Sequence, residues 1–331
     1  MKRVGNLMDE ICTIDNLLDA YRKSCRGKRQ LSYVVEYSQN IFDNILRLRE
    51  SLLSTEVEIG RYRYFNIHDP KPRKICAAAF EERILHHAII NVCHPYFERH
   101  FIYDTYATRL GKGSYAAIGR AQKAMRKYGY VAKLDMKSYF QSISHDVLKK
   151  QLRKIFKDFR LLKLLDKIID SYECSDNRGI PIGNLTSQYF ANFYLSFLDH
   201  YAKETLHVPV YIRYMDDILL FGKTASEVKD YVANVRTFVE KELHIEMKQP
   251  IFNATQCGIS FLGYVMYPYK ILLNRRSKIR FKKKMCLYAD LRKEGFWTDM
   301  EYKEHVTPLL AFVQKAYTKR LRTNLCAKIY S

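Results

Sequence analysis

The sequence has one tryptophan in 331 residues, no Cys-x-x-Cys pair, no long apolar run and no low-complexity linker. These absences exclude several classes. The eight cysteines, at 12, 25, 76, 93, 174, 257, 286 and 326, are scattered, so neither a zinc site nor a thioredoxin-like motif is supported. Reduced thiols in a cytoplasm are the expectation. No run approaches the length that crosses a bilayer. The opening MKRVGNLMDEIC has two basic residues but no continuous apolar segment, so no signal peptide is read there.

Acidic residues are also scarce. Against 56 Lys and Arg stand 35 Asp and Glu, a formal net charge of +21. Such a surplus calls for a polyanionic partner, either nucleic acid or an anionic membrane surface. The aromatic content is 26 Tyr and 18 Phe, and basic residues interleaved with aromatics suit phosphate contacts together with packing on bases or sugars. With 47% hydrophobic residues the chain can bury a sizeable core in one or two domains.

The stretch that organises the rest is Tyr211 to Lys223, YIRYMDDILLFGK. Two apolar runs, Val208 to Met215 and Ile218 to Phe221, read as a β-hairpin. Asp216 and Asp217 sit between them. Adjacent carboxylates repel, and partial burial raises that cost unless a cation neutralises them. A divalent metal held by oxygen ligands is the economical explanation, with Mg²⁺ the natural candidate. Asp-Asp is also a common turn dipeptide, so a second acid in a matching setting is needed.

Around this stretch the pattern is mostly helical. Residues 8 to 23, 33 to 53, 80 to 97, 114 to 128, 147 to 171, 185 to 198 and 226 to 243 carry apolar side chains at helical spacing, and the chain is basic and helical from Arg275 onward. Ser226 is the expected N-cap of its helix. Residues 60 to 75 read as a strand pair turning at Asp69-Pro70, and 244 to 252 and 258 to 266 as strands. The loop FIYDTYATRLGKG, 101 to 113, carries Arg109 and Lys112 beside two glycines.

Tyr130 to Met136, YVAKLDM, is a short apolar strand with Asp135 near its end, 81 residues before Asp216. If strands 130–136 and 208–222 are antiparallel neighbours, Asp135, Asp216 and Asp217 meet at one end. Three carboxylates there would hold two Mg²⁺ ions about 3.5–4 Å apart, clamping the attacking and leaving oxygens of an in-line displacement. Metal-assisted nucleotidyl transfer is the reaction class this implies.

Across roughly residues 60 to 275 the order and wording of the motifs resemble a reverse transcriptase. LDMKSYFQSI is similar to the motif with the first metal-binding Asp, GIPIGNLTSQYFANFYL to the template-and-nucleotide motif, YMDD to the paired-Asp motif, and SFLGY to the primer-contacting hairpin. DPKPRKICAAAFEERILHHAI and FIYDTYATRLGKGSYAAI are similar to the two motifs that precede them. The resemblance implies an α+β right-hand polymerase with an antiparallel palm sheet, helical fingers and a short helical thumb. Its expected parts are an N-terminal helical extension over 1–59, fingers over 60–130, palm over 131–274 and thumb over 275–331. It makes Asp135, Asp216 and Asp217 the catalytic metal ligands, with the Met136 carbonyl a further one, for two Mg²⁺ ions that Mn²⁺ can replace. Phe140 falls on the family's steric gate against the sugar 2′ position. Arg83, with Arg73 or Lys74, matches the residues that hold the incoming triphosphate, and Lys248 falls where the family often has a proton donor to pyrophosphate. Phe261, Leu262, Gly263 and Tyr264 fall on the primer-contacting hairpin.

One position departs from the common pattern. Where many reverse transcriptases have Pro-Gln-Gly, this chain has Ile182 between Pro181 and Gly183, followed by Ser187 and Gln188. Ile-Gly-x-x-x-Ser-Gln is similar to reverse transcriptases of diversity-generating retroelements. An apolar side chain there removes a polar contact to the nascent pair, and apolar shape discriminates weakly. Low fidelity, especially opposite template adenine, is the expectation. The resemblance implies a bacterial or phage-encoded, cytoplasmic, membrane-free RNA-directed DNA polymerase. It would act on template RNA, a DNA or RNA primer and dNTPs, and need a separate accessory protein. No maturase, endonuclease or RNase H region is expected after residue 275. Two alternatives stand beside this reading: a reverse transcriptase of retron, group II intron or phage-defence type, and a non-catalytic basic RNA-binding protein.

Overall fold

Polar caps cut the helices into shorter pieces than the apolar periodicity suggests. The computed structural model describes residues 2–68 and 72–330. The pattern over 8–23 is two helices, Leu7–Ile11 and Ile14–Ser24, the second opened by the Thr13 hydroxyl accepting from the Asn16 amide at 3.3 Å. The pattern over 33–53 divides at Asn40 into Ser32–Gln39 and Ile41–Leu53. The basic stretch 147–171 is His145–Ile155 and Phe159–Asp170. Asp158 makes that second break: one carboxylate oxygen caps the Leu161 amide at 3.2 Å, and the other accepts from the Leu7 and Met8 amides at 2.7 and 2.9 Å. The N-terminal helices are thereby fastened to the later one. The helix expected from a Ser226 cap is Ala225–Glu242, and its cap is Thr224, which accepts from the Glu227 amide at 3.2 Å while Glu227 accepts from the Lys223 amide at 2.7 Å.

Nine strands form three antiparallel sheets among the described residues. β1, Tyr62–Ile67, pairs with β2, Arg73–Ala78; the turn read at Asp69-Pro70 lies outside the described residues. A four-stranded sheet runs in the order β4 (Val210–Tyr214), β5 (Asp217–Gly222), β3 (Tyr130–Leu134), β6 (Ile251–Ala254). The strand expected over 244–252 does not form over that range: β6 begins only at Ile251 and runs on to Ala254, with a single bridge at Met247 before it. The single strand read from 258 to 266 is instead a hairpin, β7 (Ile259–Phe261) and β8 (Tyr264–Met266), extended by β9 (Ile271–Leu273). It folds back because Leu262 and Gly263 both take left-handed φ, 48° and 92°.

The chain divides into two compact units. The first comprises Met1–Tyr103, Met136–Tyr201 and Val235–Lys248. Its central element is the helix Phe80–His100, whose Ile84, Leu85, Ala88, Ile89 and Val92 are all buried, as the shared face in the sequence anticipates. The second comprises Asp104–Asp135, Ala202–Asn234 and Gln249–Ser331. There the helix Ser114–Lys127 lays Ala117, Ile118, Ala121 and Met125 against Val131, Ile212, Leu219 and Phe221 of the four-stranded sheet, with Phe261 and Tyr264 in the same core. Its last helices, Arg275–Lys293, Asp299–Gln314 and Lys319–Tyr330, share a smaller core around Phe281, Met285 and Val313. Separate helical and antiparallel-sheet parts make the fold α+β. No described helix is long and apolar enough to cross a membrane.

Candidate active site

The acids singled out in the sequence sit at one end of the four-stranded sheet. β4 and β5 pair through Arg213 with Ile218 and Tyr214 with Asp217, so Met215 and Asp216 form the turn and Asp217 opens β5. Met215 takes a left-handed φ of 54°, a conformation that costs a non-glycine residue and recurs at functional turns. The Arg213 guanidinium donates to the Met215 carbonyl at 3.2 Å and braces this turn from below. Arg213 is fully buried, and its backbone is tied on the far side: its amide donates to the Asp104 carbonyl at 3.0 Å and its carbonyl accepts from the Tyr106 amide at 2.9 Å. Residues 104–106 are thus paired with the outer edge of β4 at Arg213.

β3 is antiparallel to β5, and their last pair is Leu134 with Ile218. One step further along that ladder Asp135 comes level with Asp217. The antiparallel neighbour relation expected from the sequence therefore holds, with the strand ending one residue before the acid rather than after it.

Lys133, two residues before Asp135 on the same strand, reaches diagonally to place Nζ 2.9 Å from Asp217 Oδ1. That oxygen is buried and makes no hydrogen bond; the lysine supplies charge from outside the oxygen's bonding directions. A buried carboxylate oxygen with an unused lone pair suits a hard divalent cation. Among the described residues, however, no three His, Cys, Asp or Glu side chains are gathered closely enough to form a metal cage. Like-charge repulsion opposes the convergence of three carboxylates.

The remaining residues singled out from the sequence lie in the first unit, apart from the hairpin. Met136 is buried and bridges to Met247, with Lys248 the next residue on that segment and exposed. Phe140 is half-buried, and its carbonyl accepts from the Ile180 amide at 2.9 Å. The Ile182 carbonyl accepts from the Cys76 amide at 2.8 Å. The fourth motif therefore runs between the segment around Phe140 and β2, on which Arg73 and Lys74 are exposed. A Cβ at Gly183 would stand 2.8 Å from the Cys76 carbonyl, and its φ is 133°, so glycine is needed there. Burial raises the Cys76 thiol to about 11, which keeps it protonated and unreactive at neutral pH. Lys74 lies over the Tyr64 ring at 4.3 Å. Arg83 donates to the Ala78 carbonyl at 2.8 Å and to the Tyr33 hydroxyl at 3.3 Å, a partner the sequence did not suggest. Gln188 is exposed on the helix Leu185–Tyr194.

At the β7–β8 hairpin the structure narrows the expectation. Phe261 and Tyr264 are fully buried, and the Tyr264 hydroxyl donates to the Phe312 carbonyl at 2.7 Å. Only the turn, Leu262 and Gly263, is partly exposed, so those two alone of the four are accessible. The aromatic side chains are core because strand alternation turns both inward.

Sequence reasoning missed Lys133, Arg213 and Tyr33. Arg213 left a signal, a charge inside an apolar strand run. Lys133 and Tyr33 left none, since their roles depend on register and on helix docking.

Comparison with known proteins gives a concordant result. A family profile described as reverse transcriptase (RNA-dependent DNA polymerase) matches residues 67–266, 200 of the 331. Protein YkfC of Escherichia coli is 26% identical over 170 residues, 47% of this chain and 45% of that protein. The COX1/OXI3 intron 1 protein of Saccharomyces cerevisiae is 21% identical over 287 residues, 81% of this chain and 34% of that protein. The chain thus spans less than half the length of these relatives. Among solved structures, a telomerase from Candida tropicalis truncated from its C-terminal domain aligns with a TM-score of 0.49 and 11% identity, covering 65% of this chain and 55% of that one.

Proposed function

The chain belongs to the reverse transcriptase (RNA-dependent DNA polymerase) family, and from that premise we propose that it copies a template RNA into cDNA by nucleotidyl transfer. The observation that carries the reading is the register that brings Asp135 level with Asp217, one residue from Asp216. Asp135, Asp216 and Asp217, with the Met136 carbonyl, would hold the divalent ions. Bound there, Mg²⁺ or Mn²⁺ supplies the charge that offsets the developing negative charge of phosphoryl transfer. Lys133 and Arg213 hold the acids and their turn in place beforehand. Arg83, with Arg73 or Lys74, would take the triphosphate, Phe140 would face the sugar, and Leu262 and Gly263 would meet the primer. Lys248 is the candidate proton donor to pyrophosphate.

The domain assignment follows the same reading: extension 1–59, fingers 60–130, palm 131–274, thumb 275–331. The helix Arg275–Lys293 carries nine basic residues and one acid. Lys278, Lys282, Lys283 and Arg320 line a cleft of about 820 Å³, which suits a polyanionic backbone. Ile182 in the fourth motif supports an error-prone enzyme of the diversity-generating type, bacterial or phage-encoded and working with a separate accessory protein.

Primer extension on an RNA template with Mg²⁺, comparing wild type with Asp216→Ala/Asp217→Ala and sequencing the product, tests both levels. Extension by wild type alone, with errors concentrated at template adenines, is expected. Few or scattered errors would keep the polymerase and move it to the retron, intron or phage-defence kind. Equal extension by the double variant would overturn the site.

A further inference from the structure

One of the acids carries a cationic partner from the neighbouring strand. Lys133 is on the same strand face as Asp135 and crosses to the neighbouring strand, where Nζ lies 2.9 Å from Asp217 Oδ1. Its side chain is 19% exposed and that of Asp217 28%, so water screens the contact only in part. The same oxygen is buried and lacks a hydrogen bond. The acids are not gathered into a metal cage. Together these place one positive charge where an oxygen ligand would otherwise point at a divalent ion.

We infer that Lys133 competes with a divalent ion for Asp217: its ammonium contacts Oδ1 and would be displaced from that oxygen when a divalent ion binds there. The inference rests on the polymerase reading of the three acids. Mg²⁺ needs oxygens at about 2.0–2.1 Å in a near-octahedral shell, and an ammonium in contact with one of those oxygens competes with it by charge and by volume. Lys133 therefore weakens metal binding while it relieves repulsion among the acids in the metal-free protein. Lys133 is a positioning residue, acting through Asp217.

The test is a Mn²⁺ titration of the full chain by calorimetry, without nucleotide or primer, alongside thermal unfolding with and without the ion. Lys133→Met should bind Mn²⁺ roughly five- to ten-fold more tightly than wild type, the size expected for losing one partly screened like-charge contact. It should also melt lower than wild type without metal and gain more from metal. Lys133→Arg, which keeps the charge, should stay near wild type. In an Asp217→Asn background the Lys133→Met effect should vanish. Should Lys133→Met misfold, Lys133→Gln gives the same readout. Unchanged or weaker binding in both uncharged variants overturns this role of Lys133 and leaves the polymerase intact. Failure of the wild type to bind Mn²⁺, or binding that Asp216→Ala leaves unchanged, overturns the polymerase site and the role of Lys133 with it.

Discussion

The amide of Cys76 donates to the carbonyl of Ile182 at 2.8 Å. This one bond makes the fourth motif and the strand bearing Arg73 and Lys74 a single backbone assembly, and it involves no side chain of Ile182. The identity of that side chain is thereby free to vary without altering the frame that holds it.

Ile182→Gln should therefore leave stability within about 1 kcal/mol of wild type, since the position is only half-buried. Its effect should fall on the error spectrum. Sequenced cDNA is expected to lose its excess of errors opposite template adenine, because a polar group restores readout that apolar shape lacks. An unchanged spectrum would remove Ile182 from any account of fidelity.

Phe140→Ala should admit ribonucleotides. The ratio of kcat/KM for a dNTP over its rNTP is expected to fall by about ten- to hundred-fold, corresponding to ~1.4–2.8 kcal/mol of lost discrimination. Partial burial of Phe140 predicts a folding cost of about 1–2 kcal/mol in a denaturant titration of the same variant.

Arg213→Met should destabilise the second unit strongly. Arg213 is fully buried, and its removal leaves the Met215 carbonyl without its donor, at a cost of about 1–3 kcal/mol. The left-handed turn at Met215 loses its brace at the same time, so urea unfolding should shift to lower concentration and residual activity should fall even in the folded fraction. Lys at this position should not rescue, having only a point charge to offer the Met215 carbonyl.

Acid sensitivity should originate in part at His86. Burial, with a smaller push from His87, lowers its pKa to about 3, so the folded protein keeps it neutral while the unfolded chain protonates near the ordinary value of about 6.5. Protons then bind the unfolded state preferentially. Stability present above about 6.5 is lost as pH falls toward 3, with a slope of up to about 1.4 kcal/mol per pH unit. Glu82, 3.5 Å away, is raised by burial and has the opposite sign: its contribution is present at low pH and is lost as pH rises through its folded value. His86→Phe should flatten the decline between pH 6 and 4 in unfolding titrations, and an unaltered profile would clear His86.

The elements that the sequence made legible are those with a one-dimensional signature. The Phe80–His100 face, the apolar strands and the paired acids each follow a period or a charge that has no local reason. The β7–β8 hairpin was legible through the SFLGY motif alone; the apolar pattern over 258–266 reads as one strand because Leu262 supplies a left-handed φ without being glycine. The tether from Asp158 to the Leu7 and Met8 amides was hidden because those partners are 151 and 150 residues away. Lys133 could not be seen for the same reason: its partner is set by a cross-strand register rather than by neighbours in sequence.

The backbone bonds from Asp104 and Tyr106 to Arg213 have a meaning apart from catalysis. β4 is the terminal strand of its sheet, and a terminal strand offers unpaired amides and carbonyls to any other chain that meets it. Residues 104–106 occupy those groups beside Arg213 and act as a guard rail for the sheet. A chain in which this segment were loosened would betray itself first as particles in solution, well before its rate of synthesis could be measured.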